Sequence, residues 1–188
     1  MCNAPLQQSS SGALFIFSCG DTDLDDFFHN DAERYAAELM GKTYCWITEQ
    51  KPHRIVALFT LANDSIKTLH LDKTTRNRLN RPIDNPKRGR SYPATLIGRI
   101  GVNQEFQGMN VGSQLMQFIK DWFRHEDNKT GCRFLVVDAY NNPRTLHFYE
   151  RNDFRFLHTD EVEERAYYDI PSEKTIATRL MYFDLKKA

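Results

Sequence analysis

Long hydrophobic runs are missing from this chain of 188 residues. The longest apolar stretch near the start, residues 13–17, falls far short of the roughly 20 residues that a membrane-spanning helix needs. The same stretch lacks the basic lead of a secretory signal peptide. We therefore expect neither a membrane contact nor a cleaved leader.

Cysteine is scarce and scattered. The four cysteines are Cys2, Cys19, Cys45 and Cys132. No two of them form a C-x-x-C pair, and none has a histidine at a metal-ligand spacing, so the sequence predicts neither a zinc site nor a disulfide framework. We expect a protein of the reducing cytoplasm that carries no metal.

Net charge is also absent, because 25 basic residues balance 25 acidic ones. The charges are nevertheless uneven. Basic residues concentrate in what we call the basic segment, residues 67–90, and acidic clusters lie at 21–26 and 160–164. The basic segment could meet a polyanion or the phosphates of a cofactor, and a solvated charged loop is the alternative. Pro82 and Pro86 predict an irregular excursion there instead of a long helix.

The chain has no internal repeat, no low-complexity tract and no linker that would divide it. A chain of this length can bury a sizeable core by itself. We therefore expect a single domain over residues 1–188, with its core at about 43–157.

Hydrophobic periodicity predicts a mixed α/β arrangement. Strands are expected over 14–17, 43–48, 54–61, 95–102, 133–139, 154–157 and 179–185, the second and third forming a hairpin. Helices are expected over 24–40 with a break near His29 and Asn30, over 111–123 with Lys120 on the polar face, and over 143–151. Asn142 is suited to cap the last helix, with Pro143 in its first turn. Alternating hairpins and crossovers predict a mixed sheet with helices on both faces.

Residues 107–112, Gln-Gly-Met-Asn-Val-Gly, lie between a predicted strand and a predicted helix. Two glycines with an asparagine between them allow a tight turn in which consecutive N–H groups point the same way. The start of the next helix adds unpaired donors and the positive end of its dipole. The segment predicts a phosphate site, such as one for a cofactor's pyrophosphate. An ordinary strand-to-helix turn with glycines for close packing is the alternative.

Two familiar phosphate loops are excluded. A P-loop requires lysine after its last glycine, whereas Gly112 is followed by Ser113 and Gln114. A dinucleotide-binding fold places its glycines near the start of a βαβ unit, whereas this segment lies past the middle of the chain.

The chain resembles the GNAT superfamily of N-acetyltransferases, which transfer an acetyl group from acetyl-CoA to an amine. Residues 107–112 match the family's Q/R-x-x-G-x-G/A loop, and residues 142–149 match its N-x-x-A-x-x-x-Y helix. The resemblance runs from about 43 to 157. It implies an α/β (α+β) fold whose mixed, mostly antiparallel sheet has a central parallel pair and helices on both faces.

The resemblance implies that acetyl-CoA is the co-substrate. The strand before the loop would bind the pantetheine arm through its main chain, and the loop would bind the pyrophosphate. The implied cofactor-binding residues are Ile100, Gly101, Val102, Gln107, Gly108, Met109, Asn110, Val111, Gly112, Ser113 and Asn142. The N–H of Val102 could also face the developing oxyanion.

Tyr149 is implied as the general acid that protonates the departing CoA thiolate. A core aromatic residue with a satisfied hydroxyl is the alternative. No general base stands out: Asp138 and Glu105 are the carboxylates within reach, and a structural or solvated role explains each as well. Cys132 and His147 have no third group to orient them as a nucleophile pair.

Three residues depart from the family pattern. Asn110 replaces the middle glycine of the loop, Asp153 replaces the glycine before Phe154, and Thr145 replaces alanine. Asparagine accepts left-handed backbone better than other non-glycine residues, and aspartate accepts it less well. These departures keep a CoA-binding regulatory module without turnover open as a function.

A narrower resemblance concerns the toxin branch of the family. Residues 17–20, with Leu24 and Asp25, and residues 93–102 resemble the GNAT-type toxins of toxin–antitoxin modules, which acetylate aminoacyl-tRNA. The acceptor is then either a primary amine of unknown identity, attacking acetyl-CoA directly in a ternary complex, or the amine of aminoacyl-tRNA. Partners left open are a tRNA that meets the basic segment and a second copy forming a homodimer.

Overall fold

The computed structural model describes residues 3–5 by their backbone, and residues 17–83, 91–128 and 130–187. These residues cluster into two compact units. The first unit comprises Met1–Asn63 with Ile97–Ile119, and the second comprises Asp64–Leu96 with Lys120–Ala188. The expectation of a single domain over 1–188 stays a prediction.

A helical segment opens the described part of the first unit. Helix α1 (Thr22–Asp26) continues as a π-helical turn (Phe27–Asp31) and then as helix α2 (Ala32–Ala37). The π-turn lies at the predicted break near His29 and Asn30. The segment ends before residue 40 because Leu39 takes a left-handed conformation, with φ of 58°. Three residues of the segment, Phe27, Phe28 and Ala32, pack with Phe17 and Leu58 to form the core of the first unit.

The strands of the first unit confirm the predicted hairpin. They are β1 (Asn3–Pro5), β2 (Lys42–Ile47), β3 (Ile55–Lys67) and β4 (Ser91–Val102), in the order β1-β2-β3-β4. Strand β2 pairs antiparallel with both β1 and β3. Strand β1 was not predicted, since three residues are too few to show a period.

Strands β3 and β4 also run into the second unit, where the order is β3-β4-β5-β7-β6. The added strands are β5 (Phe134–Tyr140), β6 (Arg155–Phe156) and β7 (Thr178–Asp184). Strand β5 is parallel to β4 and antiparallel to β7. The mixed, mostly antiparallel α/β fold with a central parallel pair is therefore confirmed.

Strand β5 shows why its sequence is almost continuously apolar. It has a strand on each side, and its first four residues are all buried. The core around it comprises Ile66, Leu71, Leu79, Tyr92, Ala94, Phe134, Val136, Leu157 and Tyr182. Such a strand buries both faces and needs no polar alternation.

Helices α4 (Val111–Arg124) and α5 (Pro143–Arg151) lie where the sequence predicted them. Two further helices were not predicted: α3 (Lys73–Asn80) and α6 (Glu161–Tyr168). Each begins at an aspartate whose side chain accepts hydrogen bonds from first-turn amides, Asp72 for α3 and Asp160 for α6.

The expectation of an irregular excursion in the basic segment is wrong for residues 73–80. Thr75 and Leu79, four residues apart, face the core, and Asp72 caps the helix, so these residues fold as α3. Residues 84–90 of the segment lie outside the described residues. The predicted strand 14–17 also lies outside them, except for Phe17, which is buried and irregular.

Candidate functional site

The junction between β4 and the segment 107–112 is fixed by Asn103. This buried asparagine donates from its side chain to the Ile55 carbonyl (3.0 Å) and from its backbone to the Val56 carbonyl (2.9 Å). Its side-chain oxygen accepts from the Glu105 amide (3.3 Å) and so starts a short 3₁₀ turn, Gln104–Phe106. The chain therefore leaves the strand at a set angle before it enters the segment.

Two residues of the segment have left-handed backbone. Gly108 has φ of 77° and Asn110 has φ of 60°. A Cβ added to Gly108 would meet no atom within 4 Å, so this glycine serves the conformation and leaves the backbone open to a ligand. Asn110 takes the conformation that its place in the family pattern requires.

The segment leads directly into the 14-residue helix α4. The first hydrogen bond of the helix runs from the Gln114 amide to the Asn110 carbonyl (3.2 Å). The amides of Val111 and Gly112 precede that bond, so the helix offers them no carbonyl partner. Donors and the positive end of the helix dipole thus meet at the segment, an arrangement that suits pyrophosphate.

Gln107 is exposed, but its hydrogen-bond donors are engaged by carbonyls of the protein itself. Its side-chain amide donates to the Cys19 carbonyl (2.8 Å) and to the Val102 carbonyl (2.9 Å). Its backbone amide donates to the Gln104 carbonyl (3.3 Å). The sequence carried no sign of this connection, because Cys19 is remote along the chain.

The end of β4 carries Ile100, Gly101 and Val102, for which the family resemblance implies pantetheine binding. A Cβ on Gly101 would lie 3.1 Å from both the Cys19 Cβ and the Phe17 ring. Glycine at this position therefore allows residues 17–20 to lie against the strand.

Met109 is largely exposed at the tip of the segment, and Ser113 is half-buried in the first turn of α4. Glu105, one of the two candidate bases, forms an ion pair with Arg54. Arg54 also stacks on the Phe106 ring, with 5.0 Å from its Cζ to the ring centroid. The carboxylate of Glu105 is thus already engaged within the protein.

Tyr149 and Asn142 lie in the second unit. Asn142 caps α5 by accepting from the Thr145 amide (2.9 Å). Tyr149 is buried, and its ring makes edge contacts with Phe148 (5.2 Å between centroids) and Phe154 (5.5 Å). Burial, and secondarily the charge of Asp138, raises the pKa of Tyr149 well above its ordinary value. The hydroxyl therefore keeps its proton at neutral pH, as a general acid must.

Asp138, the other candidate base, lies near the exposed end of β5. Partial desolvation, with the charges of Asp64 and Glu164, raises the pKa of Asp138. A carboxylate whose pKa moves toward neutrality becomes a better proton acceptor at physiological pH. The negative charge of Asp138 is also the second cause, after burial, of the raised pKa of Tyr149.

Asp153 has left-handed backbone as well, with φ of 63°. Its neighbour Asn152 and its own carboxylate receive hydrogen bonds from the Lys120 ammonium, at 2.7 and 3.4 Å. The expectation that Lys120 lies on a polar face is wrong. It is buried with its nitrogen 4.3 Å from the centroid of the Phe183 ring, and desolvation lowers its pKa.

Cys19 and Cys132 lack the lowered pKa of a nucleophilic thiol. The Cys132 thiol contacts the Thr95 hydroxyl (3.3 Å) and the Phe134 carbonyl (3.1 Å), and burial raises its pKa. Burial also raises the pKa of Cys19 to about 11. Within the described ranges, no group of three histidine, cysteine, aspartate or glutamate residues could hold a metal ion, and no helix is long and apolar enough to cross a membrane.

A sequence profile of the acetyltransferase (GNAT) family matches residues 21–154, well over half of the chain. The chain therefore belongs to the GNAT family, and it is an acetyl-CoA-dependent N-acetyltransferase. The profile match includes both the 107–112 segment and Tyr149.

The chain is also similar to individual proteins, among them a curated relative and several solved structures. The tRNA-acetylating toxin of Mycobacterium tuberculosis is 28% identical over 160 residues, which cover 85% of this chain and 89% of the toxin. Among solved structures, AtaT complexed with acetyl-methionyl-tRNAfMet aligns with a TM-score of 0.70 and 16% identity, over 98% of this chain and 95% of that one. AtaTR bound with AcCoA aligns with a TM-score of 0.65 and 16% identity, over 98% and 94%. At these identities the structures show a shared fold.

Proposed function

We propose that this enzyme acetylates the α-amino group of aminoacyl-tRNA. The observation that carries the proposal is the match to the tRNA-acetylating toxin over nearly the full length of both chains. The fold shared with AtaT, whose structure contains acetyl-methionyl-tRNAfMet, supports the same acceptor.

Helix α3 supplies cations that suit a nucleic acid. In the part of the chain that the structure describes, the side chains of Lys73, Arg76 and Arg81 make no hydrogen bond or ion pair. Arg78 differs, because its guanidinium donates to the carbonyls of Phe156 (3.2 Å) and Leu157. Three cations thus remain available to phosphates, whose neutralisation dominates affinity for nucleic acids.

Acetyl-CoA would bring the acetyl group as an activated thioester. The N–H groups at Gly108–Gly112 and the start of α4 would hold its pyrophosphate, and the main chain of residues 100–102 would hold the pantetheine arm. The left-handed Gly108 and Asn110, with the open space around Gly108, fit this role. The Val102 N–H would stabilise the charge that develops on the carbonyl oxygen.

Tyr149 would give its phenolic proton to the departing thiolate. The attacking amine must first be neutral, and an aminoacyl-ester amine meets this condition more easily than lysine, whose ordinary pKa is about 10.4. Water or Asp138 would then accept the proton that the amine loses. The chain needs no strong base for such an acceptor.

The test is an acceptor screen with labelled acetyl-CoA. The panel contains charged tRNA, the same tRNA uncharged, lysine-bearing peptides and free amino acids. Label should appear on the aminoacyl group of charged tRNA and on no uncharged tRNA. Transfer to peptides or small amines with none to charged tRNA would overturn the proposal, as would binding of acetyl-CoA without any transfer.

A charge variant tests the role of α3. Arg76→Glu should raise the KM for charged tRNA and flatten its dependence on salt by up to about one unit of log–log slope. Lys174→Glu is the matched control, since it makes a similar charge change at an exposed position of the same unit. Equal effects of the two variants would remove α3 from tRNA binding.

A further inference from the structure

The geometry points to Gln107 as a positioning residue for acetyl transfer, acting through a tie to residues 17–20, which we call the N-terminal turn. The inference rests on the proposed role of Val102 in holding the reacting carbonyl. Gln107 itself touches no reacting atom. It fixes the strand end that does.

The peptide group that joins Val102 to Asn103 is held at both of its polar atoms. Its oxygen accepts from the Gln107 side chain (2.9 Å), and its N–H, that of Asn103, donates to the Val56 carbonyl (2.9 Å). A peptide group held at both ends cannot rotate about the strand axis. The N–H of Val102 belongs to the adjoining peptide group, so this restraint limits the motion of that N–H through the Val102 Cα.

The second donor of Gln107 anchors this arrangement to the N-terminal turn through the Cys19 carbonyl (2.8 Å). The turn is itself fixed by Asp25. One carboxylate oxygen accepts from the Cys19 amide and the other from the Ser18 hydroxyl, each at 2.7 Å. Partial burial opposes ionisation, yet these hydrogen bonds hold the pKa of Asp25 below its usual value, so it remains an anionic acceptor.

Three further contacts keep the N-terminal turn close to the 3₁₀ turn and to β4. The Gln104 amide donates to the Ser18 carbonyl (2.9 Å). Gly20 has φ of 83°, and a Cβ there would lie 2.6 Å from the Gln104 side-chain nitrogen. At Gly101 a Cβ would likewise press against Cys19. Glycine at both positions lets the N-terminal turn lie close to β4 and the 3₁₀ turn. Gln107 can then reach the carbonyls of both Cys19 and Val102.

The functional consequence is preorganisation. A donor aimed at a developing oxyanion accelerates reaction because it does not have to reorient as charge appears. Gln107 removes rotational freedom from that donor without contacting the substrate. Its loss should therefore affect turnover more than the binding of acetyl-CoA.

The test compares three variants in steady-state kinetics and in acetyl-CoA binding. Gln107→Met keeps the length of the side chain but removes both donors, and kcat should fall at least about tenfold, because displacements near 1 Å can cost on the order of 100-fold. The acetyl-CoA dissociation constant should stay close to the wild-type value. Gln107→Arg should restore most of kcat, because arginine can also donate to two carbonyls and the family loop admits it.

Gln50→Met is the matched control. It makes the same chemical change at an exposed position of the same unit that belongs neither to the N-terminal turn nor to residues 100–112, so kcat should be unchanged. Gln107→Met that is folded and turns over normally would overturn the inference. Equal loss of kcat in Gln107→Met and Gln107→Arg would do the same.

Asp25→Asn covers the case in which Gln107→Met does not fold. Asp25→Asn should also lower kcat, because it loosens the N-terminal turn to which Gln107 is bonded. A normal kcat would contradict the positioning role of Gln107. These results can be distinguished from evidence against aminoacyl-tRNA as the acceptor. A wild-type chain inactive on charged tRNA refutes the acceptor alone, and the comparison of variants then uses whichever amine the screen identifies.

Discussion

At the scale of single residues, Asn110 and Asp153 show how this chain departs from glycine without losing the fold. Both have left-handed backbone, which costs an ordinary residue about 1–2 kcal/mol. Asparagine and aspartate can lower that cost, because their short side chains form local hydrogen bonds. At Asp153 the Lys120 ammonium adds hydrogen bonds to the Asp153 carboxylate and to the Asn152 carbonyl.

Asn110→Ala tests the left-handed turn directly. Alanine cannot offset the left-handed conformation, so the variant should bind acetyl-CoA roughly five- to tenfold more weakly, equivalent to about 1 kcal/mol. Asn110→Gly is the control and should bind at least as well as the wild-type chain. Calorimetry measures the acetyl-CoA dissociation constants of both variants. Equal values for Asn110→Ala and Asn110→Gly would contradict a need for left-handed backbone in acetyl-CoA binding.

Tyr149→Phe tests the general acid. The variant should lose roughly 10²–10⁴ in kcat while its affinity for acetyl-CoA stays the same. Tyr168→Phe is a matched control, because partial desolvation and Asp138 also raise the pKa of Tyr168, yet Tyr168 lies outside the family motif. Near-normal turnover in Tyr149→Phe would remove the phenol from the mechanism.

The pH profile gives a second measurement on the same residue. A raised pKa means that Tyr149 keeps its proton at higher pH than a free tyrosine, whose pKa is about 10. Deprotonation of Tyr149 should therefore cause no fall in kcat below about pH 10. A loss of activity at lower pH that Tyr149→Phe abolishes would contradict this expectation.

At the scale of elements, helix caps explain which parts of the fold the sequence revealed. Helix α5 was predicted at both ends, since Asn142, Pro143 and an apolar period all agree. Helices α3 and α6 were missed because charge dominates their sequences, although Asp72 and Asp160 cap them equally well. A cap without a clear apolar stripe is easily read as a loop.

Asn142 separates a capping role from a cofactor-binding role. Asn142→Ala should lower the free energy of unfolding by about 1 kcal/mol, since it removes the acceptor for the Thr145 amide. Asn142→Asp should retain most of that stability, because aspartate caps equally well. Chemical denaturation measures the change. A normal stability with a weaker affinity for acetyl-CoA would show that Asn142 serves the cofactor instead.

At the scale of the whole molecule, local patterns predicted the pieces of the site, and tertiary contacts supplied the rest. The loop and Tyr149 could be predicted as site residues because each lies in a short motif with regular spacing. The tie from Gln107 to Cys19 joins residues 88 positions apart, and burial of Lys120 depends on the Phe183 ring. Neither contact can be predicted from a local sequence pattern, because each joins residues that are far apart along the chain.

Expression in a bacterial host tests the proposed acceptor in the cell. Acetylation of aminoacyl-tRNA removes the amine needed for peptide-bond formation, so expression should arrest growth. The Tyr149→Phe variant, expressed to the same level, should permit growth. Normal growth at high levels of the folded wild-type chain would count against an aminoacyl-tRNA acceptor and leave acetyl transfer to another amine.

The most direct measurement follows the backbone amides by nuclear magnetic resonance while acetyl-CoA is added to the isotope-labelled protein. If this turn holds the pyrophosphate, the shifts should be saturable and largest for the amides of Gly108 through Ser113, at the start of helix α4. The same titration of Asn110→Ala should saturate at higher concentration. Shifts concentrated elsewhere, with those amides unmoved at saturation, would contradict the central claim that this turn holds the pyrophosphate.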